Sequence, residues 1–385
     1  MQLADRMGTI KPYFFAKLGV RITKMRTQGT DVIRLDMGSP DMPPAPFIVQ
    51  ELQRAADQPD RHGYSQLGGS PGFREAVATY YTRHFGVTLN PQSEVVGLIG
   101  SKEGLFHLSM AFLDPDDVAL VPDPGYAVYA GAARFAGAEV VTMPLLAQNQ
   151  FLPDLSAVPA NVRQRAKLLW VNYPNNPTGA VASEAFFAEL IDFAHAHQIL
   201  VCHDAPYLHV TFDGYQAPSL LQMPGAREVT VEFNSLSKTY NMAGWRLGMA
   251  CGHAPAIAAL HSLKGNVDSS QFPVVQDAGI KALTGDQNWF AERNAVYQER
   301  RDIVLNGLSQ AGLIAYKPQA AMYVWARIPQ GRQSGEFTST LLEETGVSVT
   351  PGSFFGESGE GYLRISLSTM TPRVEEGMKR ISAWV

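Results

Sequence analysis

The sequence is poor in cysteine and in charged residues. Two cysteines, Cys202 and Cys251, occur in 385 residues, so no disulfide framework is expected, and neither belongs to a Cys-x-x-Cys pair of the metal-binding kind. His195 and His197 lack an HExxH-type partner, so no metal site is expected. Charged residues make up 17%, and 31 basic against 36 acidic residues give a net charge of −5. This balance gives no electrostatic basis for binding nucleic acid or an anionic membrane.

The sequence also lacks long hydrophobic runs. No stretch approaches the roughly 18 uninterrupted apolar residues of a membrane span, and the first fifteen residues show no apolar region of the kind found in a signal peptide. Hydrophobic residues nevertheless make up 45% of the chain, enough to build a core. We therefore expect a soluble globular protein of a reducing compartment, the cytoplasm.

Strand-like and helix-like segments alternate from about residue 47. The predicted strands are short and rich in Val, Ile and Leu, and several are apolar throughout: Glu94–Ile99, Val118–Val121, Glu139–Met143, Lys167–Val171, Ile199–Cys202 and Val229–Phe233. The predicted helices are Pro46–Ala56, Gly72–Phe85, Glu103–Phe112, Ser183–His197 and Ala254–Leu263. This alternation predicts an α/β/α domain with a mostly parallel central sheet that is covered on both sides.

The pattern changes at either end of this region. Before it lie a helical segment, Ala16–Gln28, and a short strand, Val32–Met37. After about Val267 a long helical run is followed by shorter segments that indicate a smaller α+β domain: Gln276–Ala311, Met322–Ile328, Val347–Thr350, Tyr362–Ser366 and the helix Thr371–Trp384. We therefore predict a large domain over residues 46–266, with residues 1–45 and 267–385 forming an N-terminal arm and a small domain.

Polar clusters follow three of the predicted strands, where open α/β sheets bind ligands. Ser101 opens a helix after Gly100, and this arrangement suits a phosphate but also an ordinary helix cap. The loop NYPNNPTG offers an Asn to a ligand, although Asn and Pro are also plain turn formers. Asp204 follows four apolar residues and His203, and it would face a cation, cap a helix or form a structural ion pair.

A fourth cluster, EFNSLSKTYNMAGWRLG, is the most specific. Ser235, Ser237, Lys238 and Arg246 fall within twelve residues after a strand, and Arg246 is bracketed by Trp245 and Leu247-Gly248. A lone lysine is usually a solvated surface charge. A lysine that follows two serines and precedes a buried-looking arginine favours a binding site instead.

These motifs together resemble the class I/II pyridoxal-phosphate-dependent aminotransferases of fold type I. SLSKTYNMAGWRLG is similar to the family's cofactor-lysine signature, and NNPTG, HDAPY and GSKEGL resemble its other motifs in the same order. The resemblance runs from about Tyr13 to Arg364. The nearest group is the LL-diaminopimelate aminotransferases, through RMGTIKPYFFAKL, PDPGYAVY, NYPNNPTGA and VCHDAPY.

The resemblance implies a role for each matching residue. Lys238 forms a Schiff base with the aldehyde of pyridoxal 5'-phosphate, and Asp204 keeps the ring nitrogen protonated. The other implied cofactor contacts are Ser101, Lys102, Ser235, Ser237 and Arg246 at the phosphate, Asn176 and Tyr207 at the phenolate oxygen, Tyr126 at the ring face, and Tyr64 at the phosphate of a neighbouring subunit. The implied substrate contacts are Arg364 and Gly38 at the α-carboxylate with Asn176 and Tyr126 beside them, and Tyr13 and Lys102 toward the distal end.

Four of these residues also have structural interpretations. Tyr126 suits a core position after a Pro-Gly turn, and Tyr64 suits a plain turn. Arg364, in a predicted strand, suits a structural ion pair, and Lys102 suits a pair with Glu103. The shared role of Tyr64 implies a homodimer with shared active sites.

The implied reaction is a ping-pong transamination with 2-oxoglutarate as acceptor, in which the amine of Lys238 moves the proton. LL-2,6-diaminopimelate is the first expected donor, which would place the enzyme in lysine biosynthesis. Alanine, aspartate or another amino acid is the alternative donor, and a pyridoxal-phosphate-dependent lyase or decarboxylase is the alternative reaction. A ligand-binding module of a transcription regulator is disfavoured, because only about 45 residues precede the α/β unit and the net charge is negative.

Overall fold

The computed structural model describes residues 2–9 and 14–385. The strands are β1 (Ile33–Arg34), β2 (Val95–Leu98), β3 (Val118–Asp123), β4 (Glu139–Pro144), β5 (Ala166–Val171), β6 (Leu200–Asp204), β7 (Thr230–Ser235), β8 (Gly248–Gly252), β9 (Ala315–Tyr316), β10 (Tyr323–Arg327), β11 (Val347–Ser348), β12 (Thr350–Pro351) and β13 (Tyr362–Ser366). The α-helices are α1 (Phe14–Thr27), α2 (Pro46–Ala56), α3 (Pro71–Phe85), α4 (Ser101–Phe112), α5 (Val128–Phe135), α6 (Ala160–Arg163), α7 (Glu184–His197), α8 (Ala226–Val229), α9 (Leu236–Thr239), α10 (Ala254–Lys264), α11 (Pro273–Thr284), α12 (Trp289–Gln310), α13 (Ser334–Thr345) and α14 (Thr371–Trp384). None of these helices is both long enough and apolar enough to cross a membrane.

A seven-stranded sheet forms the centre of the larger unit, in the order β2-β8-β7-β6-β5-β3-β4. The neighbouring strands are parallel except at β8, which runs antiparallel to both β2 and β7. β3, β6 and β7 are buried along their whole length, as strands covered on both faces must be. The prediction of a mostly parallel, doubly covered sheet is confirmed.

Helices cover both faces of this sheet. On one face α4, α5 and α10 contribute Leu105, Tyr129 and Leu260 to the same apolar cluster as the strands. On the other face α7 contributes Phe187 and Leu190. The result is the three-layer α/β/α arrangement that the alternating pattern predicts, and it leaves the carboxyl ends of the parallel strands open at one edge.

The prediction of one long helix over 276–311 is wrong, because the structure has two helices there. α11 ends at Thr284 and α12 begins at Trp289. Gly285 is extended, with φ −76° and ψ −164°, and the Asp286 carboxylate accepts a 2.9 Å hydrogen bond from the Asn288 backbone N–H. Short polar side chains that bind nearby backbone interrupt a helix in this way. α11 packs against α2 and α3, whereas α12 continues into the smaller unit.

The smaller unit contains a four-stranded antiparallel sheet in the order β12-β13-β10-β9. Helices α12, α13 and α14 contribute Tyr297, Leu341 and Met378 to its apolar core. The register of β10 and β13 places Tyr323 opposite Ser366 and Trp325 opposite Arg364. Tyr323 and Arg364 are therefore diagonal neighbours on one face of this sheet.

Several elements differ from the sequence predictions. The strand expected over 32–37 is only β1, which pairs with β11. β8, α5 and α13 are absent from the predicted elements. β8 reads Gly-Met-Ala-Cys-Gly and lacks the β-branched residues that mark a strand in sequence.

Candidate active site

A cavity of about 310 Å³ opens where the carboxyl ends of the parallel strands meet the smaller unit. Most residues predicted to contact cofactor or substrate line it: Gly38, Ser101, Lys102, Tyr126, Asn176, Asp204, Tyr207, Ser235, Ser237, Lys238, Arg246 and Arg364. They come from strand ends, helix starts and loops spread over more than 300 residues of sequence. The fold thus brings the separate motifs together at one place.

Two predicted residues are not among those that line this cavity. Tyr64 is fully exposed in the single chain and lies on the surface of the molecule. Tyr13 lies outside the described residues. The structure of one chain therefore leaves the roles of both as predictions.

Asp204, the last residue of β6, is the carboxylate of the site. Its side chain is only 5% exposed, and its Oδ2 accepts a 2.7 Å hydrogen bond from the Tyr129 hydroxyl. Its Oδ1 is buried and has no hydrogen-bond partner among the described residues. Burial raises the pKa of Asp204 to about 6, although the hydrogen bond from Tyr129 and the charge of Lys238 oppose the rise. A buried carboxylate oxygen that faces the cavity unpaired suits a cationic N–H group of a ligand.

Lys238 lies on α9, the short helix that follows β7, and its Nζ donates a hydrogen bond to the Gly38 carbonyl. Burial lowers the pKa of the Lys238 ammonium to about 8, and the positive charges of Arg364 and Arg246 act in the same direction. A lysine whose pKa lies close to neutrality has a substantial fraction of free amine, which is the nucleophilic form.

An anion site lies beside Lys238, formed by a helix start and an arginine. Ser101 is the first residue of α4, a helix of twelve residues, and the first backbone N–H groups of a helix have no carbonyl partner within it and so suit an anion. Gly100 precedes it with φ 74°, and a Cβ there would overlap the Arg246 guanidinium. Ser237 places a buried hydroxyl, unpartnered among the described residues, in the same region. Burial lowers the pKa of Lys102, and the charge of Arg246 acts in the same direction.

The serines of the lysine motif have different tasks. The Ser235 hydroxyl accepts a 3.2 Å hydrogen bond from the Ser237 backbone N–H and so caps α9. This cap fixes the first turn of the helix that carries Lys238. Ser237 keeps its own hydroxyl available for the anion site. Both residues line the cavity.

Asn176 and Arg364 are joined across the cavity. The Arg364 Nη1 donates a 2.8 Å hydrogen bond to the Asn176 Oδ1, and its Nη2 donates to the Asp36 carbonyl at 2.6 Å. Arg364 is 3% exposed, forms no ion pair within the described chain, and leaves its Nε without a partner there. The structural ion pair considered for Arg364 is therefore not formed with any described carboxylate. A buried, uncompensated guanidinium suits a ligand carboxylate.

Aromatic side chains occupy two sides of the cavity. Tyr126 lines it with its ring 5.8 Å from the Lys102 ammonium. Tyr207 is 4% exposed, and its hydroxyl lies 2.9 Å from the hydroxyl of Tyr323. Burial and the neighbouring Tyr323 hold the pKa of Tyr207 well above its ordinary value, so this hydroxyl keeps its proton.

Three residues that support the site are absent from the sequence prediction. Tyr129 binds Asp204, and Tyr323 binds Tyr207. Asn172 donates a 2.6 Å hydrogen bond to the Asp204 carbonyl, and its Oδ1 accepts one from the Asn176 backbone N–H. Asn172 is the first residue of the NYPNNPTG motif, so the motif could have identified it as a residue of the site. Tyr129 ends the PDPGYAVY motif, of which only Tyr126 was assigned a role, and Tyr323 lies in a segment with no motif of its own.

One cluster of carboxylates and imidazole lies behind α4, outside the cavity. Glu103, His107 and Asp268 place ligand atoms within 4.8 Å of one another. The buried ammonium of Lys264 already contacts Glu103 at 2.9 Å and Asp268 at 2.8 Å. The ammonium of Lys264 is therefore the cation that both carboxylates of this cluster already bind. Glu103 pairs with Lys264 here, so the pair considered between Lys102 and Glu103 is not the one that Glu103 forms.

The polar atoms of the cavity fit pyridoxal phosphate. The N-terminus of α4, the Ser237 hydroxyl and Arg246 suit its phosphate, and the unpaired Oδ1 of Asp204 suits its ring nitrogen. Lys238 suits its aldehyde. These side chains thus correspond in chemistry to the three polar ends of the cofactor.

Comparison with known proteins agrees with this interpretation. The sequence profile of "Aminotransferase class I and II" matches residues 30–381. The chain is 51% identical over 381 residues to the LL-diaminopimelate aminotransferase of Moorella thermoacetica, covering 99% of this chain and 98% of that protein. It is 50% identical over 378 residues to the protein of the same name from Desulforudis audaxviator, covering 98% of this chain and 96% of that protein.

Solved structures show the same fold. Substrate-bound BacF from Bacillus subtilis superposes with a TM-score of 0.96 at 37% identity, covering 100% of this chain and 98% of that one. Aspartate aminotransferase from Thermus thermophilus with maleate superposes with a TM-score of 0.92 at 31% identity, covering 100% of both chains. The fold type and the family expected from the motifs are confirmed. The chain belongs to the class I and II aminotransferases, and it is a pyridoxal-phosphate-dependent aminotransferase.

Proposed function

We propose that this aminotransferase moves the amino group of LL-2,6-diaminopimelate to 2-oxoglutarate and so serves lysine biosynthesis. The observation that carries the proposal is full-length identity of 51% and 50% to two proteins named LL-diaminopimelate aminotransferase. The site adds support through Lys102, a cation that lines the cavity in addition to Arg364. A donor with a carboxylate at both ends can place one carboxylate at Arg364 and the other at Lys102.

Bound pyridoxal phosphate supplies an aldehyde that takes up the amino group and a ring that accepts the electron pair of the α-carbon. Lys238 binds the aldehyde through its Nζ and afterwards carries the proton that leaves and rejoins the substrate. Its pKa of about 8 suits both tasks near neutral pH, because the Nζ gains and loses a proton at little cost.

The other residues bind and orient. Asp204 holds the ring nitrogen in its protonated form, and Tyr207 and Asn176 act on the ring oxygen. Arg364 and the backbone of Gly38 hold the α-carboxylate, and Tyr126 packs on the ring face. The phosphate contacts are Ser101, Lys102, Ser235, Ser237 and Arg246. The support for these roles is the chemistry of the atoms that face the cavity.

A panel of amino donors tests the substrate. Purified holoenzyme is given 2-oxoglutarate with LL-2,6-diaminopimelate, its meso isomer, L-aspartate or L-alanine, and glutamate formation is measured. We expect kcat/KM for LL-2,6-diaminopimelate to exceed each other value at least about tenfold. Faster turnover of alanine or aspartate would identify that amino acid as the donor in place of LL-2,6-diaminopimelate. Pyruvate and ammonia released without an acceptor would indicate a lyase.

We further propose a homodimer with shared active sites, in which Tyr64 of one subunit serves the phosphate of the other. Its full exposure in the single chain supports this placement, because a large aromatic side chain is seldom left wholly in water. Tyr13 is proposed to act near the distal end of the substrate. Mixing Tyr64→Ala with Lys238→Ala subunits tests the sharing. One wild-type site per hybrid dimer would restore up to about half of wild-type activity per dimer, and no restoration would refute the sharing.

The domain division and the location complete the proposal. We propose a large domain at 46–266, with the arm and small domain at 1–45 and 267–385. The packing of α11 on α2 and α3 supports extending the large domain to Thr284. Two buried, unpaired cysteines suit the reducing cytoplasm.

A further inference from the structure

Tyr323 lies between the two halves of the active site and contacts both. It is the first residue of β10 and is 2% exposed. Its ring centroid is 4.2 Å from the Arg364 Cζ, and its hydroxyl oxygen is 2.9 Å from that of Tyr207. Arg364 belongs to the substrate side and Tyr207 to the cofactor side. We propose that Tyr323 is a positioning residue for the transamination, whose ring supports Arg364 and whose hydroxyl orients the Tyr207 hydroxyl.

The ring replaces a missing counterion. Arg364 forms no ion pair within the described chain, and its Nη atoms bind the Asn176 side chain and the Asp36 carbonyl. The face of Tyr323 at 4.2 Å and that of Phe355 at 4.8 Å contact the guanidinium instead. An aromatic face attracts a cation without neutralising it. Arg364 is thereby held in place while its charge stays available to a carboxylate.

The Tyr323 hydroxyl determines the direction of the hydrogen bond that it shares with Tyr207. Each tyrosine hydroxyl has one hydrogen, and one of the pair must donate to the other across 2.9 Å. Under the proposed function the Tyr207 hydrogen is donated to the ring oxygen of the cofactor. Tyr323 must then donate to the Tyr207 oxygen, which strengthens Tyr207 as a donor.

Three observations show that the Tyr323 side chain is fixed. The rings of Tyr207 and Tyr323 pack edge to face, with centroids 5.6 Å apart and an interplanar angle of 81°. A Cβ at Gly38 would overlap the Tyr323 hydroxyl, so glycine is required there for the close approach. The register of β10 and β13 fixes the ring beneath Arg364. Tyr323 therefore touches Gly38, Tyr207 and Arg364 from a single rotamer.

Two substitutions separate the two roles in the holoenzyme. Tyr323→Phe keeps the ring and removes the hydroxyl, whereas Tyr323→Leu removes both. For Tyr323→Phe we expect KM for the donor to stay within about twofold of wild type. The pH midpoint of the change in cofactor absorbance should rise by about half a unit or more, because a weaker Tyr207 donor leaves more negative charge on the ring oxygen. That charge holds the proton at the Lys238 Nζ more tightly.

For Tyr323→Leu we expect the same shift of the midpoint and, in addition, an increase of about tenfold in KM and in the dissociation constant of maleate. Charged groups that face the titrating Lys238 Nζ (Asp204, Arg246 and Arg364) are unchanged in both variants. Tyr323→Met replaces the leucine variant if the latter does not fold.

The matched control is Tyr297→Phe. Tyr297 is fully buried in the small unit, does not line the cavity, and its hydroxyl has no partner within the described residues. We expect wild-type KM, midpoint and maleate affinity for this variant. An unchanged midpoint in Tyr323→Phe would overturn the role of the hydroxyl, and an unchanged KM in Tyr323→Leu would overturn the role of the ring. This inference rests on the proposed function, which fails separately if the wild-type holoenzyme transfers no amino group.

Discussion

At the scale of single residues, burial shifts the pKa values of Asp204 and Lys238 toward each other. The pKa of Asp204 rises to about 6, and the pKa of Lys238 falls to about 8. Both shifts have desolvation as their largest cause, because burial disfavours the charged form of either group. The site therefore contains an acid and a base whose pKa values lie on either side of neutrality.

The shift of Asp204 predicts how the apoenzyme responds to pH. Its folded-state pKa of about 6 exceeds the ordinary 3.8, so the folded protein binds this proton more tightly than the unfolded chain does. The contribution to stability is complete below about pH 4 and is lost as the pH rises through 6. Asp204→Asn removes the charge, so the apo variant should exceed wild type in free energy of unfolding by on the order of 2 kcal/mol at pH 7.5 and match it at pH 4.

Denaturant unfolding of the apo forms at both pH values measures this difference. The control is Asp192→Asn, at an exposed carboxylate of α7, which removes the same charge without the burial. A difference that is equal at pH 4 and pH 7.5 would contradict the prediction. The holo variant should lose activity, since an amide does not hold a ring nitrogen protonated.

Replacing Lys238 should abolish catalysis rather than folding. We expect Lys238→Ala to lower kcat about a thousandfold or more, because the Lys238 amine both binds the aldehyde and moves the proton. Initial rates and the visible absorbance of the holoenzyme measure the loss. Lys317→Ala, at a lysine whose side chain is 60% exposed, is the control and should keep wild-type rates. Residual activity near wild type in Lys238→Ala would mean that another group is the nucleophile.

Single residues were predictable from sequence only where they stand within a motif. Lys238, Asp204 and Arg364 stand in short runs of residues that match the motifs of one family in the same order. Tyr129 and Tyr323 act through partners 75 and 116 residues away, and no local pattern marks such a contact. Tertiary packing alone brings these pairs together.

At the scale of elements, the turn before α4 makes the anion site. Gly100 has φ 74°, and its missing side chain leaves the space that the Arg246 guanidinium occupies. Gly100→Ala should therefore strain the turn and displace Arg246, with the dissociation constant of pyridoxal phosphate rising about tenfold or more. Fluorescence titration of the apoenzyme measures it. Gly131→Ala in α5, where a Cβ meets no atom within 4 Å, is the control and should bind as wild type.

Strands built from long apolar side chains were predictable, whereas a buried strand built from small residues was not. β3 and β7 are buried at every position, and their apolar runs identify them in sequence. β8 consists largely of small residues and lies between β2 and β7, antiparallel to both. The break between α11 and α12 depends on Gly285 and Asp286, a short interruption between two helix-forming segments that the sequence alone did not separate.

At the scale of the whole molecule, α12 ties the two units together through two buried arginines. Arg293 donates to the carbonyls of Lys238, Thr239 and His209 near the start of the helix. Arg300, two turns further along, binds the Asp41 carboxylate at 2.7 and 2.9 Å. Asp41 lies three residues after Gly38, whose carbonyl accepts the hydrogen bond from Lys238. α12 thus fixes both the short helix α9, which carries Lys238, and the Gly38–Asp41 segment, which contacts Lys238.

Removing the ion pair between Arg300 and Asp41 should weaken substrate binding. We expect Arg300→Met to leave the Asp41 carboxylate without its guanidinium, to destabilise the protein by about 3 kcal/mol, and to raise KM more than it lowers kcat. Thermal unfolding and steady-state kinetics measure both effects. Arg54→Met, at a side chain that is 59% exposed, removes a surface pair and should change neither. Wild-type KM in Arg300→Met would show that the tie serves stability alone.

The link from β7 to β8 has one more consequence. It carries Lys238, which we propose binds the aldehyde, and, eight residues later, Arg246, which we propose contacts the phosphate, and it continues directly into the neighbouring antiparallel strand. Under the proposed roles, a single short stretch of backbone therefore binds the coenzyme at opposite ends. Amide hydrogens of residues 236–247 should exchange with deuterium far more slowly once pyridoxal phosphate is added. When pyridoxal phosphate dissociates, exchange should accelerate first in this stretch.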